Sequence, residues 1–572
     1  MLTNNILMTQ ALERLGFAPP KNLSYIKPVS SIGIDDAFSA FRNPDLHSTK
    51  VVTLIKPSLI FSKNSYSTPL TLPIGLAYMA AVLEKSGYRV KILDCPSIGM
   101  NEIGLTPDGR FKLQGLDQEK SIDLIDPETD IIGITNMFSQ EWPHVRNYIN
   151  KVRQAFPNAK IIVGGEHPTA MPEYSLRDCR AIDYLVIGEG ELTLLELVYK
   201  LRSGKSGHDV GGTCYLSGGQ FVKTCLSPRL ADVKKMPWPA WHLMNIEAYF
   251  QPNFSYGIGH GRNVAMLATR GCPYQCTFCS NPTMWTTRYV MRPVEDVVDE
   301  IVHYIKTYRA NSIDFYDLTA IVKREWILDF IAELERRNVK IAWQLPSGTR
   351  SESLDEEVIR GLARTGCEFL VYAPESGSEK TLEMVKKRVN LKNLTKSVAT
   401  ALKYGCVVKV NFIIGFPFET RWDIIKTLLF VWKLGLMKVD DCNIATFTPY
   451  PGSELFDELV KEKAVGEIND SYFENLIIQF DLTIAKTCCR HVGRFEIFLY
   501  RIMGLSVFYI LSYLRVPGRL IRLFKCFFQK GPFQPRTLFE QRVYDMVARQ
   551  KMAAREKQNS LVIARDGETH IF

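Results

Sequence analysis

Two successive series of short β-branched runs, each run separated from the next by a longer helical stretch, constrain this chain more than any other feature. The first series is 51–55, 88–93, 131–135, 160–163 and 184–187; the second is 264–269, 312–316, 340–344, 368–372, 408–414 and 441–446. Strands that alternate with helices build parallel sheets covered on both faces. Between the first two runs of the second series, Val294, Val297, Val298, Ile301 and Ile305 fall on one helical face, as a helix packed on a sheet requires. The fold class is therefore α/β, with an open parallel sheet over residues 49–205 and a six-unit partial (β/α)6 TIM-like barrel over 259–455. Residues 1–48 form an extension with a short apolar helix candidate near Ile6 to Leu15. Residues 206–258 form a linker with a hairpin over 211–219, and 456–572 a mostly helical C-terminal region with a mobile tail after Lys551.

Ligands of such sheets sit at the carboxyl ends of the strands. Directly after the first run of the second series comes Gly271-Cys272-Pro273-Tyr274-Gln275-Cys276-Thr277-Phe278-Cys279. Thiolates are soft ligands that select zinc, copper(I) or iron-sulfur clusters. A structural zinc site needs a fourth nearby protein ligand, yet the next cysteine is Cys367 and the next histidine His303. An open metal site is favoured, since thiols packed only for their volume do not call for two fixed intervals on a loop bounded by glycine and proline.

The C-x3-C-x2-C spacing, with Phe278 before the last cysteine, resembles the cluster loop of the radical S-adenosylmethionine (radical SAM) superfamily. The resemblance implies that Cys272, Cys276 and Cys279 bind a 4Fe-4S cluster whose fourth iron is chelated by SAM. It implies further SAM contacts at other strand ends: Asp317, Glu375 and Ser376, Gly415, and Glu419. For Asp317 and Glu419, a role in the first turn of a helix is the competing expectation.

Three segments upstream, 73–78, 163–169 and 188–191, resemble the Rossmann-like cobalamin-binding domain of cobalamin-dependent radical SAM enzymes of the class B methyltransferase type. That resemblance implies cobalamin contacts at Thr135, Gly164, Gly165, Gly188 and Glu189. No Asp-x-His-x-x-Gly occurs, so no histidine is expected below the cobalt, and His167 is expected to be hydrogen-bonded structure.

The implied reaction is methylation of an unactivated carbon, with the methyl group delivered from cobalamin after a SAM-derived radical has removed a hydrogen. The alternatives are a non-methylating radical reaction, such as oxidative cyclisation or ring contraction, and a non-catalytic iron-sulfur redox protein. An external electron donor such as a flavodoxin or ferredoxin is implied, and a cluster of this kind requires a reducing compartment, hence a cytoplasmic placement.

The net charge of +9 does not point to nucleic acid. Eight Lys or Arg against one acid fall between Arg490 and Lys530, so the excess is local. There, bases interleave with large apolar residues, as in an interfacial helix beside anionic headgroups. The segment 498–514 reads as too short to span a bilayer. Peripheral contact with the inner face of a membrane and a small-molecule or lipid-like substrate are the expectations; a lid over the barrel is the competing one.

Overall fold

The computed structural model describes residues 33–64, 70–106, 108–225, 230, 232–250, 256–477, 487–528, 535–537, 539–544 and 546–547. The helix candidate near Ile6 to Leu15 and the tail after Lys551 lie outside the described residues.

The first series forms a seven-stranded sheet. Its strands are β1 (Val51–Lys56), β2 (Val90–Asp94), β3 (Thr129–Thr135), β4 (Lys160–Gly164), β5 (Tyr184–Val186), β6 (Thr213–Ser217) and β7 (Gln220–Lys223). They lie in the order β7-β6-β5-β4-β3-β1-β2. The pairs among β1 to β5 are parallel. The switch point of this order, where β1 and β3 diverge, opens a crevice at their carboxyl ends. The hairpin expected in the linker is β6–β7; it pairs antiparallel with β5 and extends this same sheet. Its turn uses Gly218 and Gly219, both at positive φ, the conformation that a two-residue hairpin needs.

The second series forms six parallel strands in chain order: β8 (Asn263–Met266), β9 (Ser312–Phe315), β10 (Ala342–Thr349), β11 (Cys367–Glu375), β12 (Val407–Ile414) and β13 (Asp441–Thr446). Alternation decides which side chains face the helices. Val408, Val410, Phe412 and Ile414 of β12 are fully buried in the main core, which leaves Lys409, Asn411 and Ile413 on the lumen side. β8 and β13 do not pair among the described residues, so the barrel is open.

The helix expected between β8 and β9 is α1 (Val294–Tyr308); two further helices cover the β13 side, α2 (Arg421–Leu436) and α3 (Arg494–Arg515), and α4 (Gly518–Phe528) follows. Here the structure corrects the sequence reading. α3 is one continuous helix of 22 residues, long and apolar enough by length and composition to cross a membrane. The basic residues that interrupt the apolar run sit at its ends or turn inward. α3 lies along the barrel, because Arg501 donates to the Ile444 carbonyl at 3.1 Å and Ser512 to the Val439 carbonyl at 2.9 Å.

Candidate functional site

The cysteine loop starts from the short strand Thr269–Arg270, which pairs with Val290–Met291. Gly271 takes φ +85° there, a left-handed conformation that suits glycine. The middle of the loop is pinned on both sides: the Thr277 amide donates to the Val385 carbonyl at 3.1 Å, and the Leu455 amide to the Thr277 carbonyl at 2.9 Å. Phe278 anchors it with its ring 5.7 Å from that of Phe416. All three thiols remain half-buried. Burial pushes Cys279 up to about 12 and also raises Cys276, which Lys387 partly offsets.

Two cations face this loop that sequence reasoning did not single out. Lys387 is buried and bonded to Glu375 at 2.9 Å. Burial alone would lower its pKa, but Glu375 and the Cys276 thiol outweigh that and hold it above its ordinary value. Arg350 stacks 3.8 Å over the Tyr274 ring and donates to the Arg388 carbonyl. Nearby cations favour thiolate over thiol, the state that an iron-sulfur cluster needs. No three His, Cys, Asp or Glu side chains among the described residues converge as ligands of one ion would. A cubane binds each thiolate through a different iron, so its ligands need no common point. Three half-buried thiols, a pinned loop and facing cations fit such a cluster.

The expected SAM contacts divide. Glu375 lies beside the loop, at φ +68° at the end of β11; such backbone strain in a non-glycine residue clusters at functional sites. Asp317 is used otherwise: its carboxylate accepts the Ala268 amide at 3.1 Å, the Thr269 amide and the Thr269 hydroxyl, and so holds the start of the cysteine loop. Burial pushes it up to about 6, against these hydrogen bonds. Glu419 accepts the Gly415 and Phe416 amides at 2.7 and 3.1 Å. Ser376 is buried against the Thr427 hydroxyl, 2.9 Å away. In this structure these three shape the loops rather than present free polar atoms. Gly415 itself is at φ +85°, and a Cβ there would lie 3.2 Å from Ile497 of α3, so the C-terminal helix abuts the end of β12. In the lumen, Asn411 Oδ1 is buried with no partner within the protein, a polar atom suited to a ligand.

At the carboxyl edge of the first sheet, Thr135, Gly164, Gly165 and Gly188 do come together. Gly165 stands at φ +122°, and a Cβ on it would lie 2.4 Å from the Asn136 carbonyl oxygen. Gly188 donates its amide to the Thr169 hydroxyl at 3.1 Å. Asn136 Oδ1 is a second buried oxygen without a partner. A ridge free of side chains beside an unsatisfied oxygen fits close approach of a broad ligand. Glu189 does not face this ridge: it accepts the Leu230 amide at 3.0 Å and pairs at 3.5 Å with Arg270, which also binds Glu191. The carboxylates therefore tie this edge to the strand preceding the cysteine loop. His167 is fully buried between the hydroxyls of Ser139, at 3.0 Å, and Ser175, at 3.3 Å. Burial lowers it to about 3; both ring nitrogens are engaged, as expected.

The two edges meet. Glu166, next to Gly165, accepts a hydrogen bond from Ser280, next to Cys279. Burial pushes Glu166 up to about 7. An open cavity of about 920 Å³ lies farther along the first sheet's crevice, lined by Ser58, Gly115, Gln140, His144 and Asn147 among others. A second of about 340 Å³ lies beyond β13, lined in part by Thr446, Phe447, Tyr472, Leu476 and Thr487.

Comparison with known proteins matches residues 266–431 to the Radical SAM superfamily and residues 67–198 to the B12 binding domain. An uncharacterised methyltransferase of Pyrococcus horikoshii is 30% identical over 399 residues, covering 69% of this chain and 80% of the relative. The cytidylyl-2-hydroxyethylphosphonate methyltransferase of Streptomyces wedmorensis is 30% identical over 402 residues, 65% of this chain and 74% of the relative. The anaerobic magnesium-protoporphyrin IX monomethyl ester cyclase of Rubrivivax gelatinosus is 26% identical over 416 residues, 72% of this chain and 70% of the relative. In fold, the chain resembles the radical SAM methyltransferase TsrM of Kitasatospora setae, solved with cobalamin and a 4Fe-4S cluster, with TM-score 0.61 and 15% identity over 88% of this chain and all of that one.

The chain belongs to the cobalamin-binding radical SAM enzymes. Its cofactors are a 4Fe-4S cluster, SAM and cobalamin.

Proposed function

We propose that this enzyme methylates an unactivated carbon of a lipid-like substrate at the inner face of a membrane, with electrons from a small external donor such as a flavodoxin or ferredoxin. The observation that carries the reading is the junction of Glu166 with Ser280: it sets the glycine ridge beside the cysteine loop, so groups bound at each can act on one substrate. When bound, the cofactors supply a radical that removes a substrate hydrogen and a methyl group that replaces it.

The chain's own residues position and enclose. Cys272, Cys276 and Cys279 hold the cluster, with Lys387 and Arg350 balancing thiolate charge. Glu375 and Asn411 orient SAM. Thr135, Gly164, Gly165 and Gly188 give cobalamin its seat, and the crevice of about 920 Å³ receives its tail. The cavity of about 340 Å³ beside Phe447 and Tyr472 admits the substrate. Its partly apolar wall and the apolar C-terminal helices support a lipid-like molecule.

The test is anaerobic reconstitution with iron, sulfide and hydroxocobalamin, followed by gel filtration, a SAM-cleavage assay and product mass, with Cys276→Ala alongside. Cobalamin should co-elute, only wild type should form 5′-deoxyadenosine, and the product should gain one CH2 unit. Failure to retain cobalamin would defeat methyl transfer. The similarity to a cyclase supports a second reading, a cyclisation on the same cofactors, for which the product gains no carbon.

A further inference from the structure

α3 buries Ile497, Phe508, Arg501 and Ser512 against the barrel and leaves a second, apolar face outward. Arg501, the only charged residue in its interior, is 2% exposed and bound to β13. The opposite face carries Phe495, Leu499, Ile510 and Leu514, between 47% and 70% exposed. Spaced four, eleven and four residues apart, these fall on one side of a helix.

The face continues onto both neighbours. α2 approaches α3 through two glycines: a Cβ on Gly435 would lie 2.9 Å from the Phe508 carbonyl oxygen, and one on Gly504 would lie 2.8 Å from Leu428. Leu429 and Leu436, each one residue on from that contact line, lie about a quarter turn around α2, and with Trp422 they form a stripe about half exposed. On α4, Ile521 and Phe524 are each 62% exposed. Twelve of the 22 large apolar side chains exposed among the described residues lie on these three helices. Such concentration, unlike scattered single residues, marks an interaction surface.

Charge selects the occupant. Lys426 and Lys433 on α2, Arg494 and Arg515 at the ends of α3, and Lys525 on α4 are exposed. The acids of these helices are spent: Asp423 is buried, and Glu496 pairs with Arg421 at 2.6 Å. A second copy would set these cations against one another. An anionic bilayer surface meets both needs, apolar depth for the side chains and negative charge for the rim. We infer that the outer face of α2, α3 and α4 docks flat on an anionic lipid surface, with α3 lying in the interface rather than across the bilayer. The inference rests on the membrane part of the proposed function and is independent of the reaction catalysed.

Flotation of the full chain with vesicles of phosphatidylcholine alone, or mixed with phosphatidylglycerol, tests it. Wild type should float with the mixed vesicles and at least about tenfold less with neutral ones, since each basic residue near an anionic surface strengthens binding about fivefold. Raised salt should weaken the binding. Leu499→Asp with Leu514→Asp should abolish flotation, and Arg515→Glu with Lys525→Glu should lower it more than about tenfold. Leu124→Asp, at a remote exposed site, should change nothing. Should the apolar pair unfold the chain, the charge pair decides alone. Wild type that fails to float with either vesicle overturns the inference. So does an apolar variant that floats unchanged, or one that only dissociates a dimer, which would make the face a contact between copies. SAM cleavage and product mass, read on the same preparations, report the reaction separately, so failure of one does not pass for failure of the other.

Discussion

At the scale of single residues, most of the charged groups near the site act on other residues. Lys387 and Glu375 are 12% and 9% exposed in their side chains. Removing one member of a buried pair strands the other, at a cost of about 3–5 kcal/mol. Lys387→Met should therefore lose about that much unfolding free energy in urea titration, and Lys387→Met with Glu375→Gln should recover part of it. His167 sets an acid limit. Folded, it holds its proton only below about 3, whereas unfolded it does so below 6.5. The unfolded chain therefore binds the extra proton between those values. Its stabilising effect is complete above 6.5 and is lost as pH falls toward 3, about 5 kcal/mol in all. His167→Gln should flatten that part of the stability–pH curve, measured by denaturant titration from pH 7 to 4.

At the scale of elements, the connections between the two sheets carry the site. Arg270 is buried against Glu191, Glu189 and the ring of Tyr78, 4.7 Å away. Arg270→Met should leave both carboxylates buried without their cation, destabilise the chain by about 3–5 kcal/mol, and release cobalamin and iron more readily on gel filtration. Gly165→Ala acts on one strand end. The added methyl meets the Asn136 carbonyl at 2.4 Å in a left-handed conformation, so the ridge must move. Cobalamin retention should fall more than about tenfold while the cluster absorbance survives, because the strain is local.

At the scale of the whole molecule, cofactor binding and folding are linked. Hydroxocobalamin at about a hundred times its wild-type Kd should add about 2.7 kcal/mol of stability, visible as a raised Tm in wild type and cut to about half or less in Gly165→Ala. Both parallel sheets were legible in the sequence, because a buried parallel strand must be a short β-branched run and its crossover a longer amphipathic one. The three cysteines were legible because metal ligation needs fixed spacing on one loop. For Asp317 and Glu419 the sequence left a ligand contact and a structural role both open, and for Ser376 it offered a ligand contact; only the folded chain shows the backbone amides and the neighbouring hydroxyl that these side chains meet. Lys387, Arg350 and Arg270 carry no spacing signal, since each meets its partner through tertiary contact and not at a fixed interval of a motif. The inward turn of Arg501 and the outward turn of Phe495, Leu499, Ile510 and Leu514 on α3 were equally hidden, because composition counts residues without saying which face a neighbour covers. Local pattern determined the elements, their order and the loop of candidate cluster ligands. Only the tertiary structure decided which polar groups are spent on the fold and which apolar face is left uncovered, because those depend on contacts between segments far apart in the chain.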